Sequence, residues 1–292
     1  MDFATFLIQC LNALQYGLLL FLIASGLTLI FGIMGVINLA HGSFYMIGAY
    51  MAYALAPIVS GTFGGAFFST LVLGLILSVV LGYFLEWAFF SYLYKRDHLQ
   101  QVLMTYGLIL VFEELRSLSV GDDVHGVTIP PYLDKALPLG EMMTYPLYRI
   151  FISVVCLLLS VGMWFVFTRT RLGMMIRAGT SNREMVESLG IDITLLYRIV
   201  FAAGVALAAF AGMIAAPVSS VYPGMGDGVL IICFVVVIIG GVGSIKGAML
   251  AALLIGLVDT FGKLLLPQIA GGLIYVMMAL ILLWRPKGLF KV

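Results

Sequence analysis

Three histidines, three cysteines and one glycine-rich octet are the residues of this chain whose types suit chemistry. Their spacing gives them little to work with. His41, His98 and His125 stand far apart in sequence. Cys10, Cys156 and Cys233 each sit inside an apolar run and are odd in number, so they read as small buried hydrophobes. The octet GGVGSIKG at 240–247 has the glycines of a phosphate loop. Lys246, however, is followed by Gly247 where that loop needs Ser or Thr. Neither H-E-x-x-H nor G-x-S-x-G occurs. The expectation is a protein with no catalytic residue, no metal site and no cofactor.

Polar residues matter here for another reason. The stretch SGLTLIFGIMGVINLAHGSFYMIGAY, residues 25–50, is apolar except for a break at Asn38, His41 and Ser43. Within hydrocarbon, broken backbone and polar side chains survive only against protein or a water-filled cavity. Asn38 and His41 are three apart and would share a helix face. With Gly42 and Ser43 they are candidates for lining or gating a translocation pathway. The competing reading is that they bond backbone groups freed by the glycine-rich break.

The elements that position these residues follow from composition. Of 292 residues, 63% are hydrophobic and 10% charged, against about a quarter charged in a soluble domain. A net charge of +1 points to no nucleic-acid partner. Apolar runs near 5–30, 35–57, 66–93, 99–119, 147–168, 195–216, 229–240, 248–266 and 269–284 predict an all-α, polytopic membrane protein embedded in the lipid bilayer. The first run reads as a retained span, not a cleaved signal peptide. Because 229–240 is short and the chain breaks at Asn38, eight or nine crossings are expected, with some helices broken or short.

Lys95, Arg96, the arginines from 169 to 183 and the basic C-terminus belong inside by the positive-inside rule. The proline-rich, acidic loop 121–146 belongs outside. It separates a first half, 1–120, from a second half, 147–292, of one transmembrane domain, 1–292. Each half has a glycine-rich interruption followed by an apolar helix, which predicts a weak internal parallel repeat. Gly243 with Gly247, and Gly204 with Ala208 and Gly212, form small-xxx-small patterns that call for close helix packing.

Residues 169–194 open the sizeable basic, polar island between spans, RTRLGMMIRAGTSNREMVESLGIDITLLYR. Ser181 and Glu184 have capping-box spacing, a short helix from 182 to 189 should follow, and Gly190 should end it. Its apolar side would be Met185, Val186 and Leu189. The segment is either a helix that fits a groove on a soluble partner or a solvated loop.

Three motifs carry a resemblance: GIMGVINLAHGSFYMIGAY, RAGTSNREMVESLGI and IIGGVGSIKGAMLAALLIG. In their order and spacing the chain resembles the LivH-type permease subunits of branched-chain amino acid ABC importers, over nearly its whole length. The resemblance implies an inner-membrane, multi-pass permease with a cytoplasmic C-terminus. Its implied partners are a second, LivM-like permease, two cytoplasmic ATPase subunits and a periplasmic substrate-binding protein. ATPase coupling would fall on Arg177, Asn182, Arg183, Glu184, Met185, Glu187, Leu189 and Gly190. The implied cargo is Leu, Ile or Val. Other amino acids, amides, urea or aromatic acids are alternatives, and an ion-coupled secondary transporter is the more distant one.

Overall fold

The computed structural model describes residues 3–59, 65–94, 96–138 and 144–290, without the side chains of residues 65, 66, 181, 183 and 184. The fold is helical. In chain order it runs α1 (Phe3–Met34), α2 (His41–Ile58) and α3 (Gly65–Leu85), then a π-helical turn (Glu86–Phe90), α4 (Ser91–Leu93) and α5 (His98–Val120). After a polar loop come α6 (Leu147–Arg169), α7 (Arg171–Ser181), α8 (Arg183–Ser188) and α9 (Ile193–Ser219). The chain ends with α10 (Met225–Gly240), α11 (Ile245–Leu265) and α12 (Ala270–Trp284).

Every expected apolar run contains a helix, although the first six residues of the 35–57 run are not helical. Among the described residues, five are long and apolar enough to cross a membrane: Phe3–Met34, Phe67–Leu93, Leu147–Arg169, Ile193–Ser219 and Ile245–Leu265. α10 and α12 are apolar but shorter. A helix needs about 20 residues to span the hydrocarbon. The proline-rich loop 121–146 is not wholly irregular: β1 (Ala136–Pro138) and β2 (Thr144–Pro146) pair antiparallel. Prolines sit at the ends of these strands, where a missing N–H costs no ladder bond. Glu141 lies outside the described residues.

The chain forms two interleaved compact units. One comprises Ser25–Val127 and Val161–Ile231. The other takes the residues up to Ala24, Thr128–Ser160 and those from Ile232 onward. Each unit thus draws on both halves of the sequence.

In the first unit, α2, α3 and the end of α1 pack around α9, and glycine sets how closely. A Cβ on Gly48 would collide with the Ala209 carbonyl, and one on Gly212 with the Tyr45 carbonyl. A Cβ on Gly204 would lie 2.9 Å from the Ile30 side chain and 3.1 Å from the Gly26 carbonyl. The small-residue stripe of α9 therefore serves contacts within the chain, where helix backbones must approach without side chains between them. Phe44 sits at the centre, edge-on to Phe112 and Phe201.

In the second unit, α11 packs on α1 through Gly256, whose Cβ would stand 2.5 Å from the Ala13 carbonyl. Asp259 pairs with Lys263 at 2.6 Å. Asn12 accepts from Tyr145 Oη at 3.1 Å and Arg149 Nη1 at 2.6 Å, tying α1 to β2 and α6.

Large apolar side chains face outward on the long helices: Val72, Ile76 and Val80 on α3, Leu158 and Trp164 on α6, Leu280 and Leu283 on α12. Such a surface suits lipid and not water.

Candidate functional site

The break after α1 is built by backbone first. α1 ends at Met34, Gly35 takes φ +65°, and residues 35–40 are non-helical. Asn38 lies inside this break and His41 opens α2, so the expected shared helix face does not exist. Six residues without helical geometry remove the three-residue periodicity on which that face depended. Asn38 and His41 are nonetheless both completely buried. Asn38 Oδ1 accepts the Ala40 N–H at 3.0 Å, satisfying a backbone donor just ahead of α2. Asn38 Nδ2 is buried without a protein hydrogen-bond acceptor. The His41 ring stands edge-on to Phe44, and its Cε1 would be 3.0 Å from a Cβ on Gly26.

Gly42 and Ser43 follow in the first turn of α2, and both are buried. Gly42 lies backbone to backbone against Gly226, the second residue of α10. A Cβ on Gly226 would be 2.6 Å from the Gly42 carbonyl. Two helices that each begin after an irregular segment thus meet at their first turns. Sequence reasoning missed Gly226. The signal was present in PGMGDG at 223–228, small residues just after a chain break.

The glycine-rich break at 241–244 belongs to the other compact unit. Gly243 sits in this turn at φ +78°, so it does not share a helix face with Gly247. The expected packing pair is corrected: Gly247 packs against Gly240, across the turn. Positive φ at Gly243 turns the chain back, which is why the contact skips it. Ser244 Oγ accepts the Gly247 N–H at 3.1 Å as N-cap of α11. Lys246 is the second residue of that helix.

The polar island folds as two helices, and α7 was not foreseen. Thr170 caps α7, accepting the Gly173 N–H at 3.2 Å. Ser181 is the last residue of α7, so the expected capping box is corrected: Asn182 is the N-cap of α8, accepting the Met185 N–H at 3.0 Å. An α7 that runs on to Ser181 uses that serine's backbone inside a helix, leaving the next residue to cap. Gly190 stands at φ +80° just past α8, as anticipated. Asp192 then caps α9, accepting the Leu195 N–H at 3.0 Å.

The island has two faces. Ile176, Val186, Ile193 and Leu196 are buried, and Gly179 lies against Leu196. Met185 and Leu189 are 59% and 72% exposed, with Met174 also exposed. Of the expected apolar side, only Val186 turns inward. Arg177 and Glu187 are exposed as well, while Arg183 and Glu184 are described by backbone alone.

Arg116 gathers several partners. Arg116 Nε meets Glu113 at 2.8 Å, its Nη2 meets Asp122 at 2.8 Å, and its Nη1 donates to the Gly121 carbonyl at 2.6 Å. The guanidinium's hydrogen bond holds the Asp122 carboxyl below the usual carboxylate range. Glu113 also accepts the Gly224 N–H at 3.1 Å, clamping α5 to the segment before α10. Beside this network lies an apolar cavity of about 340 Å³, lined by Met46, Leu55, Leu81, Phe112 and Leu115, with Tyr50 and Arg116 also in its wall.

Known proteins supply the context for these features. The chain is 31% identical to the high-affinity branched-chain amino acid transport system permease protein BraD of Pseudomonas aeruginosa, over 97% of this chain and 95% of that one. It is 26% identical to the corresponding LivH permease of Escherichia coli K12, over 99% and 96%. It is also 27% identical to the LivM permease of Salmonella typhimurium, over 90% of this chain and 66% of LivM. Residues 9–282 match the family described as branched-chain amino acid transport system, permease component, and the chain belongs to that family of multi-pass membrane permeases.

Proposed function

We propose that this chain is one of two permeases in an ATP-driven importer of branched-chain amino acids, in the cytoplasmic membrane of a bacterium. The second permease is a LivM-like chain. Two cytoplasmic ATPases supply energy and a periplasmic binding protein delivers Leu, Ile or Val. Similarity to both LivH and LivM supports a pair built from related chains.

The observation that carries the ATP-driven reading is the two-faced island α7–α8. One face is seated on α9 while Met185 and Leu189 remain exposed on a polar segment. Apolar side chains at that exposure suit a groove on a soluble subunit. An ion-coupled transporter leaves this surface without a purpose. In this reading Arg177 on α7, Asn182 as the cap of α8, Glu187 on α8 and Gly190 just past it shape the docking segment, with Arg183 and Glu184 on α8. Asn38, His41, Gly42 and Ser43 shape the moving parts of the passage and do not choose the solute.

The test is co-expression with the candidate partners, followed by co-purification and uptake in proteoliposomes. ATP-dependent uptake of leucine, isoleucine or valine is the expected result. Met185→Glu with Leu189→Glu should strip the ATPases from the complex while leaving the permease pair intact. Uptake that persists without ATPases overturns the reading. Uptake of an amide, urea or an aromatic acid in place of leucine replaces the substrate only.

A further inference from the structure

α8 connects to the membrane helices through the root of α9, and that root is fastened at one place. Both α7 and α8 touch α9, where Ile193 and Leu196 are buried and Gly179 of α7 lies against Leu196. The next two residues grip three other elements. Tyr197 Oη donates to the Ile33 carbonyl at 3.3 Å, one residue before α1 ends and five before Asn38. Its ring stands edge-on to Tyr94, with centroids 4.9 Å apart. Arg198 Nε donates to Glu86 Oε2 at 2.9 Å. Tyr94 Oη donates to Glu86 Oε1 at 2.6 Å, so both carboxylate oxygens are engaged. Arg198 also lies 5.7 Å from the centroid of the Tyr83 ring.

Two features of this node ask for an explanation beyond stability. The Glu86 side chain is completely buried. Desolvating a carboxylate is costly, and an apolar pair of similar shape often does as well or better for stability. Glu86 also opens the π-helical turn. Such turns are rare, and they occur frequently at functional sites. Arg198 is half-buried over this fully buried carboxylate, and an ion pair of that kind can fix a register that apolar contacts leave free to slide.

We infer that Glu86, Arg198 and Tyr94 form a positioning node that carries displacement of the ATPase-docked α8, through the root of α9, to the Asn38 break and to α3. The inference rests on the ATP-driven reading above. The node holds α9 and α3 in one register, and Tyr197 moves the end of α1 with them. Without the ion pair, α8 can still bind and respond to the ATPases, but its motion is lost at the α9 root.

The whole complex, with partner permease, ATPases and binding protein, is the object to test. Glu86→Gln and Arg198→Gln are measured in proteoliposomes for both ATP hydrolysis and uptake, after co-purification verifies assembly. The expected result is hydrolysis near that of the parent, with uptake per ATP lower by about three- to thirtyfold. The double variant should be no worse than either single one, and Arg198→Lys should recover part of the ratio. An unchanged ratio, or hydrolysis and uptake falling in proportion, overturns the inference. If the charge-removing variants fail to assemble, Tyr94→Phe decides. It removes one hydroxyl and keeps the ion pair, so a lowered ratio supports the node and an unchanged one overturns it. If the parent chain itself binds no ATPase, the ATP-driven reading fails first and takes the node with it. That outcome is visible on the parent alone.

Discussion

Asn38 shows how much one side chain can decide at the residue scale. Its carbonyl oxygen serves the Ala40 N–H in a segment with no helix to do so. Asn38→Ala would leave that buried donor unsatisfied, at a cost of about 1–3 kcal/mol. Uptake by the complex should fall severalfold while ATPase co-purification stays intact, because α8 is untouched. Unchanged uptake would remove Asn38 from the list of working residues. The polar break was plain in the sequence as an anomaly in an apolar run. Its geometry was not, since hydropathy does not tell whether Asn38 ends a helix, starts one or lies between two.

At the scale of the element, contact between α2 and α9 depends on the absence of side chains. Gly48 and Gly212 put carbonyls of each helix where a Cβ would sit. Gly48→Ala must push two backbones apart, an overpacking cost of about 1–3 kcal/mol. Gly107 on α5 has open space around it, so Gly107→Ala gains up to about 1 kcal/mol of helix propensity. Thermal unfolding of the purified permease in detergent should therefore move in opposite directions for the two variants. Equal shifts would mean that the close approach is not what holds α2. The stripe Gly204–Ala208–Gly212 was legible as a place of close contact. Its partner was not, because small residues say that something comes near without saying what.

For the whole molecule, orientation is the open consequence. By the positive-inside rule the arginine-rich island, 169–194, is expected on the cytoplasmic side and the loop 121–146, poor in Lys and Arg, on the other. Thr180 and Val124 are both exposed. In a Cys10→Ala background, with Cys156 and Cys233 buried, Val124→Cys should react with a membrane-impermeant maleimide in intact spheroplasts. Thr180→Cys should react only in inside-out vesicles. Labelling of both from the same side would contradict the proposed topology and the cytoplasmic docking of α8 together.

Three motifs carried the likeness to branched-chain amino acid permeases, while hydropathy and charge, read along the chain, were enough to determine the class of protein, the apolar helices and the polar island. These are local properties, settled by the solvent each segment must enter. Tertiary structure alone decided that the first turn of α2 meets the first turn of α10 at Gly42 and Gly226. It alone brought Glu86 to Arg198 across 112 residues of sequence. It also moved Gly243 out of a helix and into a turn. Such pairings depend on shape and charge matching between residues far apart in sequence, and in lipid the hydrophobic effect does not choose among them.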